Sequence, residues 1–153
     1  MTAEMKQEYT RKITQANRTG VVVLTYEIAL DYIADAKKAA SKEGFLDSVR
    51  HAKRCVEQLR DVLDFNYSLS FVLMQLYNYV TIEMDKASFR NDPGRLSQCE
   101  EILSELHKSF SEVALKDNSA PLMENTQPVY SGLTYGPGGA NDSVGNANRG
   151  FTV

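Results

Sequence analysis

The sequence is short of the residues that build small-molecule and metal sites. It has no tryptophan and only two histidines, His51 and His107. Carboxylate-bridged metal sites in helical bundles draw on Glu-x-x-His pairs from facing helices. Here Ser48 and Ser104 stand three residues before the two histidines, so no metal cofactor is expected. Two cysteines, Cys55 and Cys99, are too far apart for a CxxC pair and fall on apolar stripes, which makes them small buried hydrophobes. No Gly-rich loop follows a strand pattern, so a nucleotide cradle is unsupported; the run Gly136-Pro137-Gly138-Gly139 lies in a polar tail. Serine, acid and histidine never meet in an elbow or triad setting. No catalysis and no cofactor are expected.

Other function classes fall for want of charge or length. The 17 basic and 20 acidic residues are interspersed, giving a net charge of −3 and no basic stripe, which argues against nucleic acid. The most apolar stretch, Leu69 to Met84, is interrupted by Gln75, Asn78, Thr81 and Glu83. A spanning helix needs about 20 mostly apolar residues, so no membrane insertion is expected. Residues 1–15 lack the apolar run of a signal peptide, so the expected location is the cytoplasm.

What is present is helical periodicity. Of four prolines and nine glycines, three and six respectively lie beyond residue 116. The chain therefore divides into an N-terminal capping segment (1–16), a helical zone (17–116) and a Gly/Asn/Pro-rich tail (117–153) expected to be disordered, because such composition buries little apolar surface.

Four long helices are expected in the middle zone. The first starts at an Asn17 cap, buries Val22, Tyr26, Ala29, Ile33, Ala36 and Ala40, and ends by Gly44 in a left-handed turn. The second carries Phe45, Val49, Ala52, Val56, Leu59 and Leu63 at steps of four and three, the seam of an interhelical contact. A break follows at Asp64-Phe65-Asn66-Tyr67. The third runs from Ser68 to Ser88 with a stripe of Leu69, Leu73, Leu76, Val80 and Met84, flanked by Val72, Tyr79 and Ile82. So wide a band means that the helix is central or that part of it awaits a partner. The fourth begins at Asp92-Pro93 and continues through Leu96, Cys99, Leu103, Leu106, Phe110 and Val113, fading near Lys116 or Asp117. Short links make neighbours antiparallel. The expected fold is all-α, an antiparallel up-and-down four-helix bundle preceded by a short N-terminal helical segment anchored by Met5, Tyr9 and Ile13.

Two blocks then resemble a known family. Tyr9, Ile13-Thr14-Gln15-Ala16-Asn17 and Val22 to Glu27 are similar to the start of the FliS-type flagellar export chaperones. Leu63, Leu76-Tyr77-Asn78-Tyr79-Val80, Ala87, Asn91-Asp92 and Leu96 resemble that family's third helix, its Leu-Tyr-Asp-Tyr signature and its Asn-Asp turn. The resemblance spans about residues 9–115. It departs where Asn17-Arg18 replaces the family's Ser-Pro cap, where Ile28 replaces a small residue, and in the long tail.

The resemblance implies a non-enzymatic chaperone that binds the C-terminal segment of flagellin, prevents premature polymerisation and supports delivery to the flagellar type III export gate. Self-association is a second way to cover spare apolar surface. The candidate flagellin contacts are Tyr9, Ile13, Tyr26, Phe65, Leu69, Leu76, Tyr77, Tyr79 and Val80. Tyr26, Leu76 and Val80 also suit the core, because stripes at helical spacing pack inside. Tyr77, Tyr79 and Phe65 flank the main stripe or precede it and suit contact. The segment around Tyr9 and Ile13 is a candidate cover for the empty groove. The alternatives are a non-flagellar adaptor bundle in signalling and histidine phosphotransfer through His51. The latter is disfavoured because His51-Ala52-Lys53-Arg54-Cys55 puts arginine and cysteine where phosphotransfer domains carry lysine and glycine.

Overall fold

Side-chain acceptors set most of the helix starts. Thr2 Oγ1 accepts the Met5 N–H at 3.2 Å and opens α1 (Ala3–Gln15). Asn17 Oδ1 accepts the Gly20 N–H at 2.9 Å and opens α2 (Arg18–Lys38). Ser41 Oγ accepts the Gly44 N–H at 3.0 Å and opens α3 (Lys42–Asp61). Each bond satisfies an amide that the first helical turn leaves unpaired. The next helix, α4 (Leu69–Arg90), has no side-chain cap. It is entered from a turn in which Ser70 Oγ donates to the Asp64 carbonyl at 2.5 Å. Asn91 ends it at φ 49°, and the Asp92 N–H returns to the Ala87 carbonyl at 2.9 Å. That 6→1 closure is the Schellman arrangement, and asparagine tolerates the left-handed conformation better than most residues. Asp92 then caps a 3₁₀ turn, Pro93–Arg95, that leads into α5 (Leu96–Lys116).

The computed structural model describes residues 1–124, and among these there are helices and no strands. Met1–Leu122 form one compact unit. The disorder expected of the tail falls, from residue 125 onward, outside the described residues. No described helix is long and apolar enough to cross a membrane.

Helices α2 to α5 form the expected bundle, with neighbours α2–α3, α3–α4, α4–α5 and α5–α2 around a ring. The largest fully buried side chains include Tyr26, Ile33, Val56, Tyr77, Met84 and Leu103, drawn from all four helices. Tyr26 and Tyr77 bring their hydroxyls together across the core, joining α2 to α4, and the Tyr26 ring packs 5.6 Å from Phe110 on α5.

Several expectations change. The first long helix ends at Lys38, and Ala40 is exposed in the link rather than buried. Gly44 closes no left-handed turn; it sits in the first turn of α3, because Ser41 is the stronger start signal and claims its N–H. The buried face of α4 is Leu73, Tyr77, Val80, Met84 and Ala87, rotated from the expected stripe so that Leu69 is exposed and Leu76 half-buried. The central helix is α2, not α4. It touches α1, α3, α5 and the 3₁₀ turn, which accounts for its being apolar on nearly every side. Among the described residues nothing covers the band on α4: Phe71, Val72 and Ile82 are each more than half exposed.

The helix α1 lies along α2, held by polar contacts and without a single buried residue. Tyr9 Oη donates to Asp31 Oδ2 at 2.5 Å, and the Met1 ammonium pairs with Asp35. Burial, then the Asp31 carboxylate, push the Tyr9 phenol well above its ordinary range.

Among the described residues Glu83 is the one buried carboxylate. It accepts Lys86 Nζ at 2.8 Å and Arg95 Nη1 at 3.3 Å, tying α4 to the 3₁₀ turn. The Lys86 bond, followed by its charge and the Arg95 contact, holds the carboxyl below the ordinary glutamate range. A carboxyl whose folded pKa is depressed stabilises the fold fully above its unfolded pKa of about 4.3, and that contribution is lost as pH falls through the folded value. Glu83→Gln is therefore expected to be less stable than wild type at pH 7. The gap should close on acidification below about pH 4. Urea denaturation at pH 7 and pH 3 checks this; a gap that widens at pH 3 refutes it.

Cys55 and Cys99 are free and buried, with burial pushing both thiols up to about 11. Neither is expected to react with iodoacetamide at pH 8 while the protein is folded, and both should react in urea. Mass spectrometry of the labelled protein reads this directly.

Candidate binding groove

The antiparallel order of the helices brings the first apolar residue of one stripe beside the last of the next. Val22 opens the stripe of α2, Leu63 follows that of α3, Leu69 opens that of α4, and Val113 closes that of α5. At this end lie two adjoining hollows of about 220 and 340 Å³. The first is lined by Leu59, Leu63, Tyr67, Leu69, Leu73 and Tyr77, with Asp64 and Ser70 at its edge. The second is lined by Arg18, Thr19, Val21, Val113 and Leu122. Val22, Val62 and Phe110 belong to both, so the two form one continuous apolar groove.

The wall beside Leu122 is held from behind. Asn17, besides capping α2, donates through Nδ2 to the Asp117 and Ser119 carbonyls at 3.2 and 3.3 Å. Thr19 Oγ1 donates to Asp117 Oδ2 at 2.5 Å, and the Leu122 N–H reaches the Ala16 carbonyl at 3.0 Å. Bonds from Ser119 and Thr19 lower the Asp117 pKa. The segment after α5 is thus fastened to the α1–α2 junction.

A larger, open hollow at the start of α3 is lined mainly by polar residues, among them Ser41, Lys42, Glu43, Asp47 and Arg50. It offers an apolar ligand little.

The candidate contact residues fall into separate places. Leu69 lines the groove and is 58% exposed. Tyr77 forms its floor but is 1% exposed, which corrects its reading as an outward contact. The reason is its hydroxyl, which finds the Tyr26 hydroxyl inside the core and needs no water. Tyr26 and Val80 are wholly buried, and Leu76 is half-buried outside the groove lining. Phe65 is exposed in the α3–α4 link, its ring tilted against Phe71 at 5.1 Å. Tyr79 lies elsewhere on α4 and donates to Gln98 Oε1 at 2.6 Å. Tyr9 and Ile13 belong to α1 and line neither hollow, so α1 leaves the groove uncovered.

The reading by stripes missed Val62, Tyr67 and Leu122, and it counted Val22, Leu63 and Phe110 only as core. The usable signal was the end position of each stripe. End residues of antiparallel helices meet where fewest neighbours remain to cover them.

Among the described residues there is no cluster of His, Cys, Asp and Glu suited to a metal ion. The His51 ring stacks on Tyr32 at 4.7 Å with 14° between planes, and its Nε2 lies 3.6 Å from Asp47 Oδ2. His107 Nε2 lies 3.2 Å from Glu27 Oε1.

Comparison with curated proteins gives no match. The family model for flagellar protein FliS matches residues 1–117, which include all the described helices. On that match the chain belongs to the FliS family of flagellar export chaperones.

Proposed function

We propose that the groove at this end of the bundle holds the C-terminal segment of flagellin as an amphipathic helix and keeps it from polymerising until it reaches the flagellar type III export gate. The observation that carries this reading is the unbroken apolar lining through Val22, Val62 and Phe110, open at a bundle end that the protein's own helices leave uncovered. A helix seated there would place residues spaced i, i+3, i+4 and i+7 against it. A segment that folds only on binding loses conformational entropy, so it needs a broad apolar contact to bind usefully. The groove supplies one part of such a contact, and the exposed Phe65–Phe71 pair and Val72 and Ile82 on α4 offer further apolar surface.

Leu69 stays a direct contact in this reading, with Val22, Val62, Tyr67 and Phe110 joining it. Tyr77, and Tyr26 beneath Phe110, act from below by shaping the floor. Phe65 is a contact at the margin. Tyr9, Ile13, Leu76, Tyr79 and Val80 serve packing.

Titration of the full chain with a flagellin C-terminal peptide tests the proposal. Circular dichroism should show the peptide passing from coil to helix as it binds. Calorimetry should give a negative heat-capacity change from apolar burial. A peptide that stays coil and releases no heat refutes it.

A further inference from the structure

We propose that the groove fixes the direction of its occupant by charge, with Arg18 in one half taking an acidic side chain and Asp64 in the other taking a basic one. This rests on the reading above and adds the partner's polarity to it.

Among the described residues, Arg18 is the only charged one in the lining of one hollow, and Asp64 the only charged one in the lining of the other. Val22, Val62 and Phe110 are common to both hollows, whereas Arg18 lines only one and Asp64 only the other, so each half of the groove carries one charge of opposite sign. Elsewhere on the bundle opposite charges meet, as in Arg11–Glu8, Lys37–Glu100, Arg50–Asp47 and Lys53–Asp85. Arg18 and Asp64 enter no ion pair among the described residues. Asp64 uses one carboxylate oxygen, Oδ1, to accept the Asn66 N–H at 3.0 Å.

An apolar groove alone says little about direction. A helical stripe spaced by three and four reads nearly the same from either end, so burial holds the segment in both orientations. Opposite charges in the two halves break that symmetry. The correct orientation gains two attractions, and the reversed one brings like charges together.

The test uses the full-length protein and two synthetic peptides with the same apolar face. One carries glutamate near its N-terminus and lysine near its C-terminus; the other carries them exchanged, and each has a photocrosslinker at its N-terminus, so that the ratio of adducts at the two hollows reads the preferred direction, which exchange of the charges should invert in wild type. The free peptides differ in helicity, because a helix favours acid at its start and base at its end. That difference is common to wild type and variant, so it cancels when their preferences are compared. The variant is Arg18→Gln with Asp64→Asn, which removes both charges while asparagine keeps an Oδ1 for Asn66. Rim ion pairs are worth up to about 1 kcal/mol, so the two proteins' preferences should differ by about fivefold at low salt. The difference should vanish near 1 M salt, where the screening length is about 3 Å.

Equal preferences in wild type and variant, with both peptides still displaced by a flagellin C-terminal peptide, overturn the charge inference and leave the binding reading standing. Failure of the flagellin peptide itself to bind wild type overturns both.

Discussion

Tyr26→Ala is expected to cost about 3–5 kcal/mol of folding stability, the usual range for deleting a buried aromatic ring. That is a large share of the about 5–15 kcal/mol that a domain of this size possesses, so the variant should be mostly unfolded well below the wild-type midpoint in urea. The ring is wholly buried, packs against Phe110 and meets the Tyr77 hydroxyl, so its removal opens a void and strands a polar group together.

Milder changes separate the two effects. Tyr26→Phe and Tyr77→Phe each leave one hydroxyl buried without its partner, at about 1–3 kcal/mol. Replacing both removes the pair, so the double variant should lose clearly less than the sum of the single losses. Burial drives both phenols upward in pKa, so the pair stays neutral and the cycle should give the same coupling from pH 6 to pH 9. Additive losses would mean that the hydroxyls contribute nothing together.

Val62→Glu is expected to lower affinity for the flagellin C-terminal peptide by about 30-fold or more, equivalent to about 2 kcal/mol or more. Val62 lines both hollows, so a carboxylate there would be desolvated at the centre of the contact, among the apolar side chains of Val22 and Phe110. It is 58% exposed in the free protein, and the fold should change by no more than about 0.5 kcal/mol. Phe89→Glu is the control: Phe89 is 91% exposed and outside the groove lining, so binding should not move. Isothermal titration of both variants decides between sites. Loss of binding in the Phe89 variant with none in the Val62 variant would transfer the contact to the outer band of α4.

The two blocks that carry the family resemblance lie inside the matched region, and their residues have different tasks. Tyr26 and Tyr77, one from each block, are joined in the core. Asn91-Asp92 is the turn that ends α4 and caps the next. Asn17 caps α2 and grips the segment after α5. These motif residues hold the scaffold, while the groove is lined largely by residues between them.

By itself the sequence determined the local features: the caps at Asn17 and Asp92, the seam from Phe45 to Leu59, the break at Asp64 to Tyr67, and an all-helical chain with apolar surface to spare. Those follow from hydrogen-bonding reach and the 3.6-residue period, which act over a few residues and are legible in one dimension. Only the tertiary structure decided that α2 is the covered helix and α4 the bare one, that Tyr77 turns inward, that Gly44 begins a helix, and that the stripe ends gather into a groove away from α1. Each depends on how many neighbours surround a surface and whether a distant hydroxyl or capping group is there to meet it. That is settled when the helices pack, by which arrangement buries the most apolar area and leaves the fewest polar groups unpaired.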